Sequence, residues 1–374
     1  MSTNILHIQN KNRANANTVV NLQDFEYVEA EIIDPKIIIE NLNISLYCLD
    51  PQNQRLIFVE TPLDIDLSQA PFFYEAQYEY AERLFAVPFE DINQLVEEIK
   101  EPIEQLVLIY SVGRCGSTLL SKVFNQLDTV VSLSEPDIFS QIVGIRHSDG
   151  SNDNELAALL RNCIYLLCKP TLKRKHSCYI LKFRSIVIEL GDLLYQAFPQ
   201  AKVIFLYRNA EAVVKSSIRA FVYLSSMLPT IQQNIEFYSR FIPLLKEYAS
   251  YIDFTDSKAT DLYTTMWLSA MQRYLSLYEQ AIPSCAIRYE DLVANPQQIV
   301  TSIFEHCDLP ISEVSNVCKV FEKDSQSGSN LSQENTRQND LEQSEILELR
   351  QKVNELLKKH PEIQTPDFIV PGTL

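Results

Sequence analysis

Residues 106–127, LVLIYSVGRCGSTLLSKVFNQL, hold the clearest chemical pattern in the chain. The apolar run 106–111 has the length and branched content of a buried strand, and apolar residues then recur at helical spacing from Leu120 to Leu127. The turn between them, residues 112–118, carries two glycines, an arginine and two hydroxyl groups, and we call it the glycine turn. Converging backbone N–H groups and the free N–H groups of a first helical turn bind phosphate-like anions, so the glycine turn predicts an anion site.

The candidate anion contacts in the glycine turn are Gly113, Arg114, Cys115, Gly116, Ser117 and Thr118. The chain has only 7 glycines in 374 residues, so two glycines three positions apart at one junction indicate a backbone requirement. An ordinary strand-to-helix turn, with glycines serving close packing, stays an alternative. A Walker A loop would need a lysine directly after the second glycine, and Ser117 stands there instead. Arg114 is the only strong cation in the turn, and we expect the Cys115 side chain to be a neutral filler.

The composition of the chain limits the kinds of partner that it is expected to bind. The formal net charge of −17 argues against broad binding to nucleic acid or to anionic membranes. The first 20 residues lack the basic start and apolar core of a signal peptide, and no apolar run approaches the ~18 residues of a membrane span. We therefore expect a soluble cytoplasmic protein with no nucleic-acid or membrane partner and leave its oligomeric state open. The eight cysteines form no CxxC pair and no His/Asp/Glu cluster has metal-site spacing, so no metal is expected.

Residues 1–101 predict a small α+β appendage whose role stays open. The first 23 residues are polar and predict a loose segment. Two strand-like runs separated by the turn sequence DPQN predict a hairpin. The runs that predict the hairpin and two following helices are residues 44–49, 55–60, 73–85 and 91–100.

Residues 102–374 predict an α/β domain, because strand-like and helix-like patterns alternate there and indicate a parallel sheet with helices on both faces. After the first strand, the runs typical of strands are 130–133, 178–183, 202–207 and 285–289. The polar segment 324–340 predicts a loop or lid, and a C-terminal helix follows it.

A second candidate anion contact follows the strand 202–207. Arg208 ends this strand, and Ser216 lies eight residues further on the next predicted helix. Ligands gather at the carboxyl ends of parallel strands, so the arginine and the hydroxyl group can converge on one phosphate. A surface arginine and an unrelated helix serine are the alternative, because the spacing alone is common.

The glycine turn, the segment KVIFLYRNAEAVVKSS and the segment CAIRYEDLVANPQQIVTSIF together resemble the sulfotransferases that use 3′-phosphoadenosine 5′-phosphosulfate (PAPS). The resemblance covers about residues 105–308 and implies a P-loop-like fold, PAPS as sulfuryl donor and the desulfated nucleotide PAP as product. It places Arg114 beside the leaving group, with Gly116, Ser117 and Thr118 on the 5′-phosphate. Arg208 and Ser216 would hold the 3′-phosphate, and the segment YEDL (289–292) would close the strand-to-loop turn.

The chain also departs from the family pattern. Cytosolic members carry a lysine at the position of Arg114, and an arginine there looks more like Golgi-type and many bacterial members. The usual Lys-x-His at a strand end reads Lys182-Phe183-Arg184, so the histidine base is absent. We assign Lys182 to the transfer site and leave Arg184 open as an acceptor contact or structural residue. The late Arg-Lys-Gly segment that closes on the 3′-phosphate is missing, and only Gly328 and Arg337 offer substitutes.

Glu135 is the predicted general base. It follows the run 130–133, and Ser134-Glu135-Pro136 looks like the Glu-Pro segment of Golgi-type and bacterial sulfotransferases. His147, in a polar stretch, is its main competitor. The expected reaction is sulfuryl transfer to a hydroxyl or amine of a small soluble acceptor, for example in secondary metabolism. The alternatives are a silent PAP-binding protein, or a P-loop NTP phosphotransferase, which would want a Walker lysine and a magnesium-binding acid.

Overall fold

The computed structural model describes residues 1–13, 15–99, 101–169, 178–322, 325–326, 331–332, 335–336 and 339–374. Within these residues the strands form two five-stranded sheets. The chain makes two compact units. The first unit contains Met1–Val107, Phe124–Lys182 and Leu193–Ala201, and the second contains Leu108–Val123, Phe183–Asp192 and Lys202–Leu374.

The N-terminal sheet is antiparallel and corresponds to the predicted α+β appendage. Its strands are β1 (Thr3–Lys11), β2 (Phe25–Ile33), β3 (Ile44–Asp50), β4 (Arg55–Glu60) and β5 (Arg83–Pro88), in the order β2-β1-β5-β4-β3. Helices α1 (Lys36–Glu40), α2 (Phe73–Glu79) and α3 (Phe89–Glu97) accompany it, with 3₁₀ turns at Leu22–Asp24 and Leu67–Gln69. The predicted hairpin is confirmed, because β3 and β4 pair antiparallel.

Two expectations for the appendage are wrong. The segment expected to be loose contains β1, which pairs with both β2 and β5. Only a few residues of β1 are buried, such as Ile5 and Leu6, and its later residues are half-buried or exposed. The sequence therefore shows no long alternation of apolar and polar residues that would predict the strand. The helix expected over 73–85 ends at Glu79, and the rest is β5. Since β5 is a central strand, its middle is apolar on both faces and shows no period of two.

The second sheet confirms the predicted α/β class. Its strands are β6 (Gln105–Ser111), β7 (Val130–Ser134), β8 (Cys178–Lys182), β9 (Lys202–Tyr207) and β10 (Ser284–Arg288), in the order β10-β9-β6-β8-β7. The pairs β7/β8 and β9/β10 run parallel. Neighbouring strands that are not consecutive in sequence require crossover connections, and helices supply them, as the alternating pattern predicts.

The helices of this part follow the alternation. They are α4 (Ser117–Phe124), α5 (Ile138–Ile145), α6 (Asp153–Cys168), α7 (Gly191–Ala197), α8 (Ala210–Ala220), α9 (Leu224–Gln233), α10 (Ile235–Tyr238), α11 (Leu244–Tyr248), α12 (Thr260–Glu279), α13 (Tyr289–Ala294), α14 (Pro296–His306), α15 (Val314–Val317) and α16 (Gln343–Leu357). Short 3₁₀ helices lie at Ser185–Leu190, Ala249–Tyr251, Ile311–Glu313 and Cys318–Glu322. The predicted C-terminal helix corresponds to α16.

A buried lysine in the first unit joins α1 to β3. Lys169 follows α6 in the left-handed conformation (φ 41°) and is only 3% exposed. Its Nζ donates to the carbonyl oxygens of Ile38, Asn41 and Ile44, at the end of α1 and the start of β3. The ammonium group thus gives three carbonyl oxygens a charged donor, of which Asn41 O also accepts from Ile44 N at 3.4 Å.

We expect Lys169→Met to destabilise the protein by about 3 kcal/mol, because the carbonyls lose their charged donor while staying buried. The matched control is Lys36→Met, since Lys36 pairs with Glu98 at 3.2 Å between half-exposed side chains. Such a surface pair contributes at most about 1 kcal/mol. Free energies of unfolding from urea titration test the pair of variants, and equal losses would contradict this role for Lys169.

Candidate functional site

The glycine turn connects β6 to α4, as predicted, and its backbone is strained. Gly113 and Gly116 have φ of 77° and 82°, and Arg114 has φ of 51°. A residue with a side chain in the left-handed region costs about 1–2 kcal/mol, so the surrounding structure must hold Arg114 there. Leu120 N donates to Gly116 O at 3.1 Å. The amides of residues 117–119 precede that bond and have no acceptor inside the helix.

Tyr289, the first residue of α13, fixes the close approach at Gly116. A Cβ atom at position 116 would lie 2.6 Å from Tyr289 Cε2, far inside van der Waals contact. The same ring carries the Arg208 guanidinium group 4.5 Å from its centroid. This is a cation–π contact, which orients the arginine without using its N–H donors. Tyr289 therefore ties the glycine turn to the residue that follows β9.

The structure brings Arg114, Arg208 and Ser216 together. Arg208 Nη1 donates to the backbone oxygen of Arg114 at 3.2 Å. Arg114 Nε donates to Ser216 Oγ at 3.1 Å, and its Nη1 donates to Gln326 Oε1 at 3.2 Å. The predicted contacts from the glycine turn and from β9–α8 thus form one cluster. The Arg114 side chain lies on Ser216, which the resemblance assigns to the other end of the donor.

Glu290 supplies the counter-charge to this cluster. Its Oε1 lies 3.9 Å from Arg208 Nε, which is an ion pair but not a hydrogen bond. Arg208 Nε is buried and has no hydrogen-bond partner among the residues that the structure describes. A buried charged donor without a hydrogen-bond acceptor is unfavourable, and an anion bound to this nitrogen would remove that cost.

The remaining side chains of the glycine turn are two hydroxyl groups and one thiol. Ser117 and Thr118 lie in the first turn of α4 and are 6% and 5% exposed. Cys115 is fully buried, and its thiol donates to Leu206 O at 3.2 Å. Cys115 can therefore offer an anion only its backbone N–H, consistent with the expectation of a neutral filler.

Glu135 and Lys182 form an ion pair within the first unit. Lys182 is the last residue of β8, is 2% exposed, and donates from Nζ to the Glu135 carboxylate. The Glu135 backbone N–H donates to Lys182 O at 2.6 Å, and Glu135 has φ of 61°. The Lys182 ammonium group also lies 5.7 Å from the Phe72 ring centroid. The base candidate and the strand-end lysine thus belong to one pair held by a strained backbone.

His147 and Arg184 are the other candidates from the sequence. His147 follows the end of α5, is exposed, and its Nδ1 lies 2.9 Å from Ser151 Oγ. Arg184 precedes the 3₁₀ helix at Ser185–Leu190. Gly328 and Arg337, the substitutes considered for the late Arg-Lys-Gly segment, lie outside the described residues.

Sequence reasoning missed two contacts of the cluster. Trp267 Nε1 donates to Arg208 O at 3.0 Å, and Gln326 accepts from Arg114. A single tryptophan among aromatic residues at helical spacing predicts a core residue. Its indole N–H, which needs an acceptor when buried, was the only sequence signal for this contact. Gln326 had no signal, because it stands in a uniformly polar segment.

A narrow cleft in the second unit begins beside the glycine turn. Ser185 lines it, and the Ser185 side chain lies 3.7 Å from where a Cβ atom at Gly113 would be. The cleft has room for about one water molecule. Its other lining residues are mostly apolar: Ile186, Ile188, Glu189, Phe241, Ile242, Met266, Ser269 and Ala270.

Neither a metal centre nor a membrane span is found in the described part of the chain. No three His, Cys, Asp or Glu residues there are grouped so that they could hold a metal ion. No helix among those residues is both long enough and apolar enough to cross a bilayer.

Comparison with known proteins gives a family and several structural likenesses. A family model described as "Sulfotransferase family" matches residues 107–313. No curated protein matches the chain.

Three solved structures illustrate the likenesses. The sulfotransferase domain of the Synechococcus PCC 7002 olefin synthase is 16% identical over 66% of this chain and 92% of its own, with a TM-score of 0.36. The sulfotransferase domain from the curacin biosynthetic pathway is 16% identical over 73% and 95%, with a TM-score of 0.41. A sulfotransferase from Alicyclobacillus acidocaldarius is 15% identical over 68% and 94%, with a TM-score of 0.36.

Gly116→Ala should destabilise the protein by about 3 kcal/mol, because the left-handed backbone and the clash with the Tyr289 ring both act against it. Gly113→Ala is the matched control, since its φ is 77° but its Cβ would meet nothing nearer than 3.7 Å. It should cost only the backbone term of about 1–2 kcal/mol. Free energies of unfolding of the two variants measure the difference. Equal losses of stability would show that the contact with the Tyr289 ring does not contribute.

Proposed function

Because the chain belongs to the sulfotransferase family, we propose that it transfers the sulfuryl group of PAPS to a hydroxyl or amine of a small organic acceptor. The observation that carries the proposal is the cluster that joins the glycine turn to Arg208 and Ser216. It gathers backbone amides, hydroxyl groups and two guanidinium groups at one place in an otherwise acidic chain. A nucleotide phosphorylated at both ends requires donors from two chain segments, and the glycine turn and the residues that follow β9 supply them.

The residues present fit the two charged ends of the donor. The glycine turn amides, with Ser117 and Thr118, would hold the 5′-phosphosulfate. Arg208 and Ser216 would hold the 3′-phosphate, and the unpaired Arg208 Nε supports that assignment. Arg114 would lie beside the leaving oxygen, exchanging its bond to Ser216 for the ligand. PAPS supplies an activated sulfuryl group, so the protein's part is to orient reactants and stabilise developing charge.

Glu135 and Lys182 are assigned to proton transfer and charge stabilisation. As the acceptor oxygen or nitrogen bonds to sulfur, the bond from sulfur to the phosphate oxygen breaks and PAP leaves. The acceptor's proton goes to the Glu135 carboxylate, and the Lys182 ammonium group stabilises charge on nearby oxygens. The Glu135–Lys182 pair and the left-handed backbone at Glu135 support this role, since strained residues cluster at functional sites.

The acceptor is proposed to enter the cleft that starts at Ser185. The mostly apolar lining suits an acceptor that is apolar around its reacting group, and the cleft, which has room for about one water molecule, would have to open to admit it. A PAP-binding protein without turnover is the alternative favoured by the missing strand-end histidine. A P-loop phosphotransferase is disfavoured, because Ser117 occupies the position of the Walker lysine.

Binding of PAP should stabilise the fold, whereas ATP should have little effect, because ATP lacks a 3′-phosphate. At a hundredfold excess over the dissociation constant, PAP should add about 2.7 kcal/mol to the free energy of unfolding. Melting temperatures with and without each nucleotide measure this. Equal shifts from PAP and ATP would count against the donor assignment, and PAP binding without turnover of PAPS over alcohols and amines would favour the silent alternative.

Glu135→Gln should lower turnover by about 10²- to 10⁴-fold, because the amide cannot accept the acceptor's proton. PAP affinity should stay within about twofold, since Glu135 is not assigned to the nucleotide. The control is His147→Ala, which should leave turnover unchanged. Glu135→Asp keeps the charge opposite the buried Lys182 and should be folded and partly active.

The base assignment moves to His147 if Glu135→Gln keeps near-normal turnover while His147→Ala abolishes it with PAP binding intact. Melting temperatures of each variant with saturating PAP separate a chemical defect from an unfolded protein. A Glu135→Gln variant that no longer melts cooperatively is replaced in the comparison by Glu135→Asp.

A further inference from the structure

The C-terminal segment, Pro366–Leu374, lies along β10. Ala286 N donates to Gly372 O at 2.9 Å, and Leu374 N donates to Ala286 O at 3.1 Å. Thr373 forms a parallel bridge to Ala286, and its hydroxyl group lies 2.9 Å from Tyr207 Oη. The segment therefore covers part of the edge of β10 and contacts the end of β9.

The first residues of this segment hold the turn that follows Arg208. Ala210 N donates to Pro366 O at 2.9 Å. Asp367 Oδ1 accepts from Asn209 Nδ2 at 2.8 Å and from Arg288 Nη2 at 2.7 Å. Asn209 also caps α8, because its Oδ1 accepts from Ala212 N at 3.0 Å. Asp367 thus fixes the side-chain amide of Asn209, the residue directly after Arg208.

Asp367 also completes the charge balance around Arg208. Glu290 lies between two arginines, with Oε1 3.9 Å from Arg208 Nε and Oε2 3.4 Å from Arg288 Nε. Glu290 Oε1 further accepts from Asn209 N at 3.2 Å. Because Asp367 binds Nη2 of Arg288, Glu290 is not left as the sole counter-charge to both guanidinium groups. Without Asp367, we expect Arg288 to draw Glu290 away from Arg208.

We propose that Asp367 is a positioning residue, which holds Asn209 and Arg288 so that the Arg208 guanidinium group is placed to bind the 3′-phosphate of the donor. The inference rests on the proposed function, because it assumes that Arg208 binds that phosphate. It adds a residue about 160 positions away in sequence, in a segment with no motif. A purely structural role for Asp367 would weaken every nucleotide alike, whereas a positioning role weakens only nucleotides that carry a 3′-phosphate.

The experiment compares the affinities of PAP and of 5′-AMP, which lacks the 3′-phosphate, by calorimetry on the full chain. Asp367→Asn should weaken PAP about three- to fivefold, the range of a partly exposed ion pair, and leave 5′-AMP unchanged. Asp367→Glu should recover most of the PAP affinity. Arg208→Ala should weaken PAP by about tenfold or more with 5′-AMP unchanged, and adding Asp367→Asn to it should cause little further loss.

Two further variants separate the local effect from general destabilisation. Asn209→Ser keeps a helix-capping side chain but removes the donor to Asp367, so it should reproduce the PAP-specific loss. Asp308→Asn removes a comparable exposed pair, 2.9 Å from Lys202, at the other end of β9, and should change neither affinity.

The outcomes distinguish this inference from the proposed function. Unchanged PAP affinity in Arg208→Ala overturns the placement of the 3′-phosphate, and the inference with it. A tenfold loss in Arg208→Ala, with Asp367→Asn affecting PAP and 5′-AMP equally or neither of them, overturns the role of Asp367 alone. If Asp367→Asn does not fold, the same comparison is made with Asn209→Ser, and an equal effect on both nucleotides there is equally decisive.

Discussion

The contact between the Tyr289 ring and the backbone of Gly116 is the constraint on which the cluster in the second unit depends. The ring fills the space that any side chain at position 116 would need, so only glycine permits the turn to pass beneath it. Its contact with the Arg208 guanidinium group places that charge beside the same turn. One aromatic residue therefore sets the distance between the end of β6 and the end of β9, although neither segment contains it. Under the proposed function, this arrangement would let the cluster distinguish nucleotides with a second phosphate from those with phosphate at one end only.

Backbone strain marks two of the predicted residues but is not sufficient as a signal. Arg114 and Glu135 both have positive φ, and each follows a buried strand of the parallel sheet. Other residues with side chains share this conformation, among them Gln54 and Ala281, which lie in ordinary turns. Lys169 and Asp308 also combine positive φ with a partnered charge, but both follow helices. Arg114 and Glu135 differ from them because their paired charges, to Ser216 and Lys182, follow strands of the parallel sheet. The combination of strain, strand end and paired charge supports a function more strongly than strain alone.

Local patterns predicted the parallel sheet and the glycine turn, because buried strands, glycines and helix starts leave signals within a few residues. They failed for β1 and β5, where pairing between distant segments decides the structure and the apolar period is short or absent. The Glu135–Lys182 pair shows the same limit, since each residue was a candidate but their contact spans 47 positions. Asp367 carried no signal at all. Its role depends on where a chain segment without regular secondary structure passes the sheet, which propensity does not encode.

The acidic character of the chain shapes what this cluster can bind. A net charge of −17 repels polyanions at long range, and salt screens that repulsion beyond about 8 Å. A small ligand with phosphates at both ends therefore depends on short-range donors, namely amides, hydroxyl groups and a few arginines. Glu290 lowers the positive charge near Arg208 but also holds the Arg208 side chain in one orientation. Because the side chain is already ordered, less conformational entropy is lost when a ligand binds to it. If the cluster binds PAPS as proposed, its donors contribute to affinity through their orientation rather than through excess positive charge.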